Sequence, residues 1–143
     1  MRKSEIFKLK WSSVNLEIGF IELLETKSGK SRKIPISDKL REILFNNLQA
    51  NTGSEYVFLN PITGKPYSNI MKSFKKALRA ANIENFRFHD LRHTVATRLV
   101  EKGIDLVVVK EILGHSKIDT TLRYAHAVPE RKLAAISVLN SYN

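Results

Sequence analysis

The sequence contains no cysteine, and this absence excludes several kinds of site at once. Thiolate catalysis, cysteine-ligated zinc, iron–sulfur clusters and a disulfide framework all require that residue. Long apolar runs are missing as well, since no stretch approaches the roughly 18 consecutive apolar residues of a membrane-spanning helix. Residues 1–5 also lack the apolar segment of a signal peptide. We therefore expect a soluble, cytoplasmic protein.

Acidic residues are scarce relative to basic ones. The 143 residues include 24 Lys and Arg but only 14 Asp and Glu, which gives a formal net charge of +10. The excess of basic residues is concentrated in residues 65–98, which contain eight basic residues and two acidic ones. Such clustering favours a polyanionic partner, nucleic acid before an anionic membrane surface. A solvated basic face with no partner is the alternative.

The length and the 43% hydrophobic content are those of one ordinary globular domain. Its first half begins with a short helical segment at residues 4–11 and continues with two strand patterns, residues 19–24 and 32–36. The Gly-containing stretch 26–30 between the strands predicts a β-hairpin. Pro35 cannot donate to a ladder, so it places the second strand at an edge or ends it there.

Helices fill the rest of the predicted fold, and their ends are marked by capping residues. Ser37 and Asp105 are predicted N-caps, and Gly103 and Gly114 are predicted C-terminal stops. Residues 60–66 predict a loop, and residues 119–126 and 129–140 predict the last two helices. The expected apolar faces are Leu40, Ile43, Leu44 and Leu48, then Ile70, Phe74, Leu78 and Ala81, then Leu91, Val95 and Leu99, and then Leu106, Val109, Ile112 and Leu113. The fold class is therefore α+β, mainly α, with a small antiparallel sheet near the N-terminus.

Four histidines are the first candidates for chemistry: His89, His93, His115 and His126. His89 and His93 are four residues apart on a predicted helix, which is the spacing of a metal-binding pair. The zincin pattern also needs a Glu directly after the first His, but Asp90 stands there and no third ligand follows at a suitable spacing. We therefore expect no metal site.

A second grouping joins an arginine to these imidazoles. His89 and Arg92 are three residues apart, about 60° around a helix axis, and so share a face opposite much of the apolar stripe. Arg92 offers bidentate donors for a phosphate, and a neutral imidazole accepts a proton. His115 follows a helix-ending Gly, and Tyr124 comes nine residues later. Each alone also has a plainer interpretation: a cap, a salt bridge, a bond to a carbonyl, or a core ring with its hydroxyl satisfied.

Taken together, these residues resemble the signature of the tyrosine recombinases, the phage-integrase family. That signature is H-x-x-R, then L-G-H, then a nucleophilic Tyr nine residues after the last His, and residues 89–93, residues 113–115 and Tyr124 match it in order. Residues 2–6 match the family's first motif, an Arg shortly before Ser-Glu-Ile/Leu. Residues 26–36 match its hairpin with a catalytic Lys in the turn. The resemblance runs from residue 2 to about residue 128.

The resemblance implies a site-specific DNA recombinase that cuts and rejoins strands through a 3′-phosphotyrosine intermediate. It implies Tyr124 on a loosely held segment as the nucleophile, Arg2 and Arg92 as the phosphate clamp, and His89 as the base. It also implies that His115 bonds the same phosphate and that Lys27, rather than Lys30 or Lys33, protonates the leaving oxygen. The basic residues expected to bind DNA are Lys65, Lys72, Lys76 and Arg79.

The resemblance also bears on partners and boundaries. It implies double-stranded DNA as the partner, no cofactor, metal or ATP, a tetramer on DNA for the full-length protein, and a bacterial or phage origin. Residues 1–143 would form one catalytic domain. The earlier helices and the separate DNA-clamping domain, which family members carry before the first Arg, would be absent. A last helix with Leu133, Ile136 and Leu139 would pack on a neighbouring protomer or on its own core.

Two other functions stay open on the sequence. A type IB topoisomerase uses the same chemistry but reseals the original strand, and the absence of swivel and linker segments argues against it. A degenerate integrase remnant would bind DNA without cutting it. The complete set of motifs argues against such decay of the site, whereas the missing front half argues for lost activity of this fragment.

Overall fold

The structure, a computed structural model, describes residues 1–24, 31–51, 53–125 and 136–138. Lys27 and the turn predicted around it therefore lie outside the described residues, and so does His126. Of the predicted last helix, only residues 136–138 are described, and they are helical. The chain divides into two compact units, Met1–Leu91 and Arg92–Asn143.

Besides the helical residues 136–138, the described residues form six helices and three strands. The helices are α1 (Lys3–Phe7), α2 (Asp38–Ala50), α3 (Met71–Ala80), α4 (Asp90–Glu101), α5 (Leu106–Leu113) and α6 (Asp119–Leu122). The strands are β1 (Val14–Asn15), β2 (Phe20–Leu23) and β3 (Arg32–Pro35), and a 3₁₀ turn spans Trp11–Ser13. In the described ranges, no helix combines the length and apolar character needed to span a bilayer.

The first unit is built on the antiparallel sheet β1-β2-β3. The predicted hairpin is confirmed: β2 pairs with β3, and Ile21 lies opposite Ile34. Both side chains are buried on one face of the sheet, against a core that includes Leu44 and Val57. Pro35 ends β3 at the edge of the sheet, as its missing N–H requires. Strand β1 is an addition that the sequence analysis did not predict.

Helix α2 begins where the cap predicts it. The Ser37 hydroxyl accepts a hydrogen bond from the backbone N–H of Leu40 at 3.4 Å. Leu44 is fully buried, but the prediction that Ile43 shares the buried face is wrong, because 48% of its surface is exposed. Leu40, four residues before Leu44, packs against the same core, and Ile43 lies beside this line on the helix surface.

Helix α3 carries both the predicted apolar residues Phe74 and Leu78 and three of the cations expected to bind DNA. Phe74 packs edge-on against Phe88, with the two ring centroids 5.3 Å apart. On the other side of the helix, Lys72, Lys76 and Arg79 are exposed. These three cations of the first unit therefore lie on its surface and are not part of its core.

In helix α4 the predicted apolar face is wrong at Leu91 and Val95, whereas Leu99 packs against the core of the second unit. Leu91 and Val95 are 44% and 47% exposed, whereas Arg92, Ala96 and Val100 are buried. These three residues are four apart and lie on one line along the helix. Hydrophobicity alone selects the other stripe, because an arginine is rarely buried unless the fold supplies it with a polar partner.

Helices α5 and α6 complete the described part of the second unit. The predicted N-cap is confirmed, since the Asp105 carboxylate accepts a hydrogen bond from the N–H of Val107 at 2.7 Å. Gly103 and Gly114 end α4 and α5 with φ values of +85° and +71°, a conformation that glycine adopts without strain. Helix α6 ends at Leu122, earlier than the predicted residue 126.

Candidate active site

Arg92 lies on the buried side of α4 and is fixed by a backbone carbonyl. Its side chain is 9% exposed, and its Nη2 donates to the carbonyl oxygen of Leu113 at 2.5 Å. Leu113 is the last residue of α5, and the carbonyls of a last turn have no partner inside their own helix. This hydrogen bond therefore gives the last carbonyl of α5 a partner and also fixes the orientation of the Arg92 guanidinium. A guanidinium has five N–H donors, so this bond uses only a part of its capacity.

His115 follows the left-handed turn at Gly114, and three contacts define its position. Its backbone N–H donates to the carbonyl of Lys110 at 3.0 Å, which ties the turn back to α5. Its Nδ1 lies 2.8 Å from the hydroxyl of Thr121 on α6. Its ring is nearly parallel to the Tyr124 ring, with an interplanar angle of 10° and centroids 6.5 Å apart.

Tyr124 is buried in the second unit. Only 7% of its surface is exposed, and its ring belongs to a cluster with Ala96, Val100, Val109 and Leu113. The Tyr124 hydroxyl lies 2.5 Å from Nδ1 of His93, a residue of α4. The structure thus gives both the ring and the hydroxyl of Tyr124 partners, in contrast to the loosely held side chain that the sequence predicts.

Sequence reasoning missed two residues of this site, His93 and Thr121. From the sequence, His93 is a candidate only as one half of a metal pair with His89. The available signal for His93 is its position directly after Arg92 on α4. Adjacent helix residues point in different directions, so the two side chains can contact different groups of the same site. Arg92, His115 and Tyr124 are thus linked inside the second unit, through Leu113 and through His93 and Thr121.

The bond between His93 and Tyr124 should contribute measurably to stability. His93→Phe keeps the ring volume but removes the nitrogen that the phenol bonds, and a buried polar group that loses its partner costs about 1 to 3 kcal/mol. We expect a loss of that size in the free energy of unfolding, measured with urea. Tyr124→Phe in the His93→Phe background is the control, because a real bond gives a coupling of about 0.5 kcal/mol or more. Additive effects of the two substitutions would contradict the contact.

Arg2, in the first unit, is held by an acidic residue of its own motif. It occupies the N-cap position of α1, where its backbone N–H donates to the Glu5 carboxylate at 2.5 Å and its Nη1 lies 3.3 Å from the same group. Glu5 has a side chain that is only 7% exposed, and it also accepts from Nη2 of Arg32 at 2.8 Å. The carboxylate thereby joins α1 to β3, while the Arg2 side chain stays 48% exposed.

His89 lies in a tight turn directly before α4, not on the helix as predicted. The Asp90 carboxylate accepts from the backbone N–H of Arg87 at 2.8 Å, and the Asp90 N–H donates back to the Arg87 carbonyl at 2.9 Å. The Asp90 hydrogen bond and charge raise the pKa of the Arg87 guanidinium. His89 is the exposed residue between them. The helix periodicity invoked for His89 and Arg92 therefore does not apply to His89.

The remaining candidates are surface residues. Lys65, Lys72, Lys76 and Arg79 are all exposed in the first unit. Among the residues that the structure describes, no three His, Asp or Glu side chains are grouped so that they could hold a metal ion.

Comparison with known sequences gives a match over most of the chain. The sequence profile described as the Phage integrase family matches residues 1–131. The chain is 40% identical over 136 residues to tyrosine recombinase XerD of Staphylococcus aureus, covering 88% of this chain and 45% of that protein. It is 32% identical over 142 residues to a tyrosine recombinase of Pseudothermotoga lettingae, covering 97% and 49%. The chain thus spans about half the length of these curated relatives.

Solved structures agree with the predicted fold class. The catalytic domain of bacteriophage HP1 integrase is 34% identical, with a TM-score of 0.68 over 96% of this chain and 73% of that one. XerH site-specific recombinase, solved in a post-cleavage complex with the palindromic difH substrate, is 27% identical, with a TM-score of 0.75 over 98% of this chain and 42% of that one. A mainly helical α+β fold with a small antiparallel sheet is therefore confirmed.

Proposed function

The chain belongs to the phage integrase family, and from that membership we propose that it cuts and rejoins DNA as the catalytic domain of a tyrosine recombinase. The observation that carries the proposal is the cluster in the second unit, where the Tyr124 ring stacks on His115 and Arg92 is fixed to Leu113, two residues before His115. A phenol, an imidazole and a guanidinium at one place are the groups that a metal-free transfer of a phosphodiester needs.

The proposed reaction exchanges one phosphate ester for another. The Tyr124 oxygen attacks the phosphorus of a DNA phosphodiester and forms an O–P bond, and the bond from phosphorus to the 5′-oxygen breaks. The phenol proton goes to a base, and the leaving 5′-oxygen takes a proton from an acid. The products are a 3′-phosphotyrosine link and a free 5′-hydroxyl. Attack by the 5′-hydroxyl of another strand reverses the step, so the ester bond energy is kept and ATP is not consumed.

The charges of the reaction explain the residues that we assign to it. A tyrosine in water ionises near pH 10, so forming a phenolate at neutral pH costs about 4 kcal/mol unless a base takes the proton during attack. We assign that base to His89 and the acid for the leaving oxygen to Lys27, both on the family motif. The phosphate gains negative charge in the transition state, and two guanidiniums, Arg2 and Arg92, are assigned to it. His115 is assigned a further hydrogen bond to the same phosphate.

The test is covalent capture of DNA. The full chain is incubated at low salt with a library of nicked duplexes whose central region is randomised, because a nick next to the cleaved bond lets the short leaving strand diffuse away. We expect a protein–DNA adduct in which the strand is joined through its 3′-phosphate and the released end is a 5′-hydroxyl. Failure to form any adduct at high protein concentration would contradict the catalytic proposal.

Assays with the same protein and duplexes distinguish the recombinase from the two alternative functions. Binding of the duplexes without any adduct would identify a DNA-binding remnant. Adduct formation with relaxation of supercoiled plasmid, but without exchange of strands between two duplexes, would identify a topoisomerase-like enzyme. Strand exchange would identify a recombinase.

We assign the DNA backbone contacts of the first unit to the exposed cations Lys65, Lys72, Lys76 and Arg79. Each phosphate contact releases counterions, so the logarithm of the binding constant falls by about 0.9 per contact for each tenfold rise in salt. The double variant Lys72→Ala, Lys76→Ala should therefore flatten that slope by about 1.8 in a fluorescence-anisotropy titration. The matched control is Lys39→Ala with Lys102→Ala, which removes two exposed cations from other surfaces. Equal slopes for both double variants would contradict this assignment.

A further inference from the structure

The contact between His115 and Thr121 is not needed to fill the core. Thr121 is completely buried, and its backbone N–H donates to the carbonyl of Ile118 at 2.7 Å, so the side chain is fixed by the start of α6. A valine has nearly the same shape and would occupy that space without a polar atom. The threonine instead directs a hydroxyl at Nδ1 of His115, at 2.8 Å. Because Thr121 is completely buried, its hydroxyl cannot bond solvent in place of His115.

The Thr121 hydroxyl fixes a feature of His115 that stacking on Tyr124 leaves open. Stacking on Tyr124 fixes the plane of the imidazole, but a ring turned over by 180° stacks equally well. The two ring nitrogens differ, and the bond made by one of them decides which nitrogen carries the proton and which one points outward. The Thr121 hydroxyl bonds Nδ1 and therefore distinguishes the two orientations.

We propose that Thr121 is a positioning residue, which holds His115 with Nδ1 turned inward and Nε2 turned toward the scissile phosphate. The Thr121 hydroxyl donates to Nδ1, so the neutral ring carries its proton on Nε2 and donates it to a non-bridging phosphate oxygen. The hydroxyl never meets the DNA, and it acts only through the imidazole. This inference rests on the proposed function for the role of His115, but the orientation of the ring can be measured without DNA.

The first test is the tautomer of His115 in the free protein, read from the ¹⁵N and ¹³C chemical shifts of the ring. We expect the wild type to carry its proton on Nε2 and Thr121→Val to shift the ring toward the Nδ1-protonated form. Thr121→Ser, which keeps the hydroxyl, should restore the wild-type signature. A wild-type ring protonated on Nδ1 would overturn the proposal even if Thr121→Val did not fold. An unchanged tautomer in a folded Thr121→Val would do the same.

The second test is the rate of adduct formation on the nicked duplexes. We expect Thr121→Val to lose about 10- to 100-fold, the range known for partners that orient metal-binding imidazoles, while DNA binding is unchanged. Thr121→Ser should recover most of the rate. Thr120→Val is the matched control, since Thr120 lies on the same helix and should change the rate less than about twofold. Equal losses in the Thr120 and Thr121 valine variants would overturn the positioning role.

The two tests also separate this inference from the function on which it rests. If the wild type forms no adduct but the tautomer follows the Thr121 hydroxyl, the proposed function fails and the positioning contact stands. If adducts form and the tautomer ignores Thr121, the function stands and this inference fails.

Discussion

Tyr124→Phe should abolish the covalent adduct while leaving DNA binding intact. The substitution removes one oxygen, and no other atom of the ring can take its place as the nucleophile. We expect adduct formation on the nicked duplexes to fall at least about a thousandfold, below detection on a denaturing gel. Binding to an intact duplex should be unchanged, because the ring is buried and its hydroxyl bonds His93.

The fold should tolerate this change. The phenylalanine ring can keep its place among Ala96, Val100 and Leu113 and its stacking on His115. The loss of the hydrogen bond to His93 should lower the free energy of unfolding by about 1 kcal/mol. A missing adduct can then be attributed to chemistry once circular dichroism shows a folded protein.

The matched control is another tyrosine of the chain. Tyr67 lies in the first unit, with its ring centroid 6.5 Å from that of Phe7, and Tyr67→Phe should form the adduct at the wild-type rate. A persisting adduct in Tyr124→Phe would show that a different hydroxyl attacks the phosphate. Peptide mapping of the attached residue would identify it, and the assignment of Tyr124 would be overturned.

Arg92→Lys should produce the second largest loss. A lysine keeps the positive charge, but it cannot offer two parallel N–H donors to a phosphate and also reach the Leu113 carbonyl with a planar group. Removing one preorganised donor from a transition state typically costs about 10²- to 10³-fold. We expect a loss of that order in the single-turnover rate of adduct formation, with DNA binding weakened much less.

A loss of rate in an Arg92 variant has to be distinguished from a loss of rate caused by misfolding. Arg92→Ala removes the donor to Leu113 altogether and should also lower stability, so Arg92→Lys is the more informative variant. Arg98→Lys is the control, because Arg98 lies on the same helix but is exposed, and its rate should be unchanged. A rate within about threefold of wild type for Arg92→Lys would contradict the clamp.

The ends of the elements were predictable from the sequence, because they depend on residues close together in the chain. The Ser37 and Asp105 caps bond N–H groups two or three residues ahead. The hairpin likewise pairs two strands that are adjacent in sequence, with Ile21 opposite Ile34. Local geometry decides such features, so the correct residue types at the correct spacing are sufficient.

The candidate site was predictable only as a set of residue types. The order of motifs identified Arg92, His115 and Tyr124, and the structure joins these three by contacts within one unit. The roles assigned to Arg2, Lys27 and His89 stay predictions. Nothing in the spacing of the motifs pointed to His93 as the partner of the Tyr124 hydroxyl, or to Thr121 as the partner of His115.

By itself, then, the sequence determined the family, the pairing of β2 with β3, and where each capped helix begins or ends. Only the tertiary structure decided which face of α4 is buried, because burying Arg92 is favourable only where the carbonyl of Leu113, 21 residues away, meets its guanidinium. The same holds for Tyr124, whose hydroxyl bonds a histidine 31 residues earlier. A hydrogen bond over such a separation depends on how the helices pack, and periodicity along the chain carries no information about it.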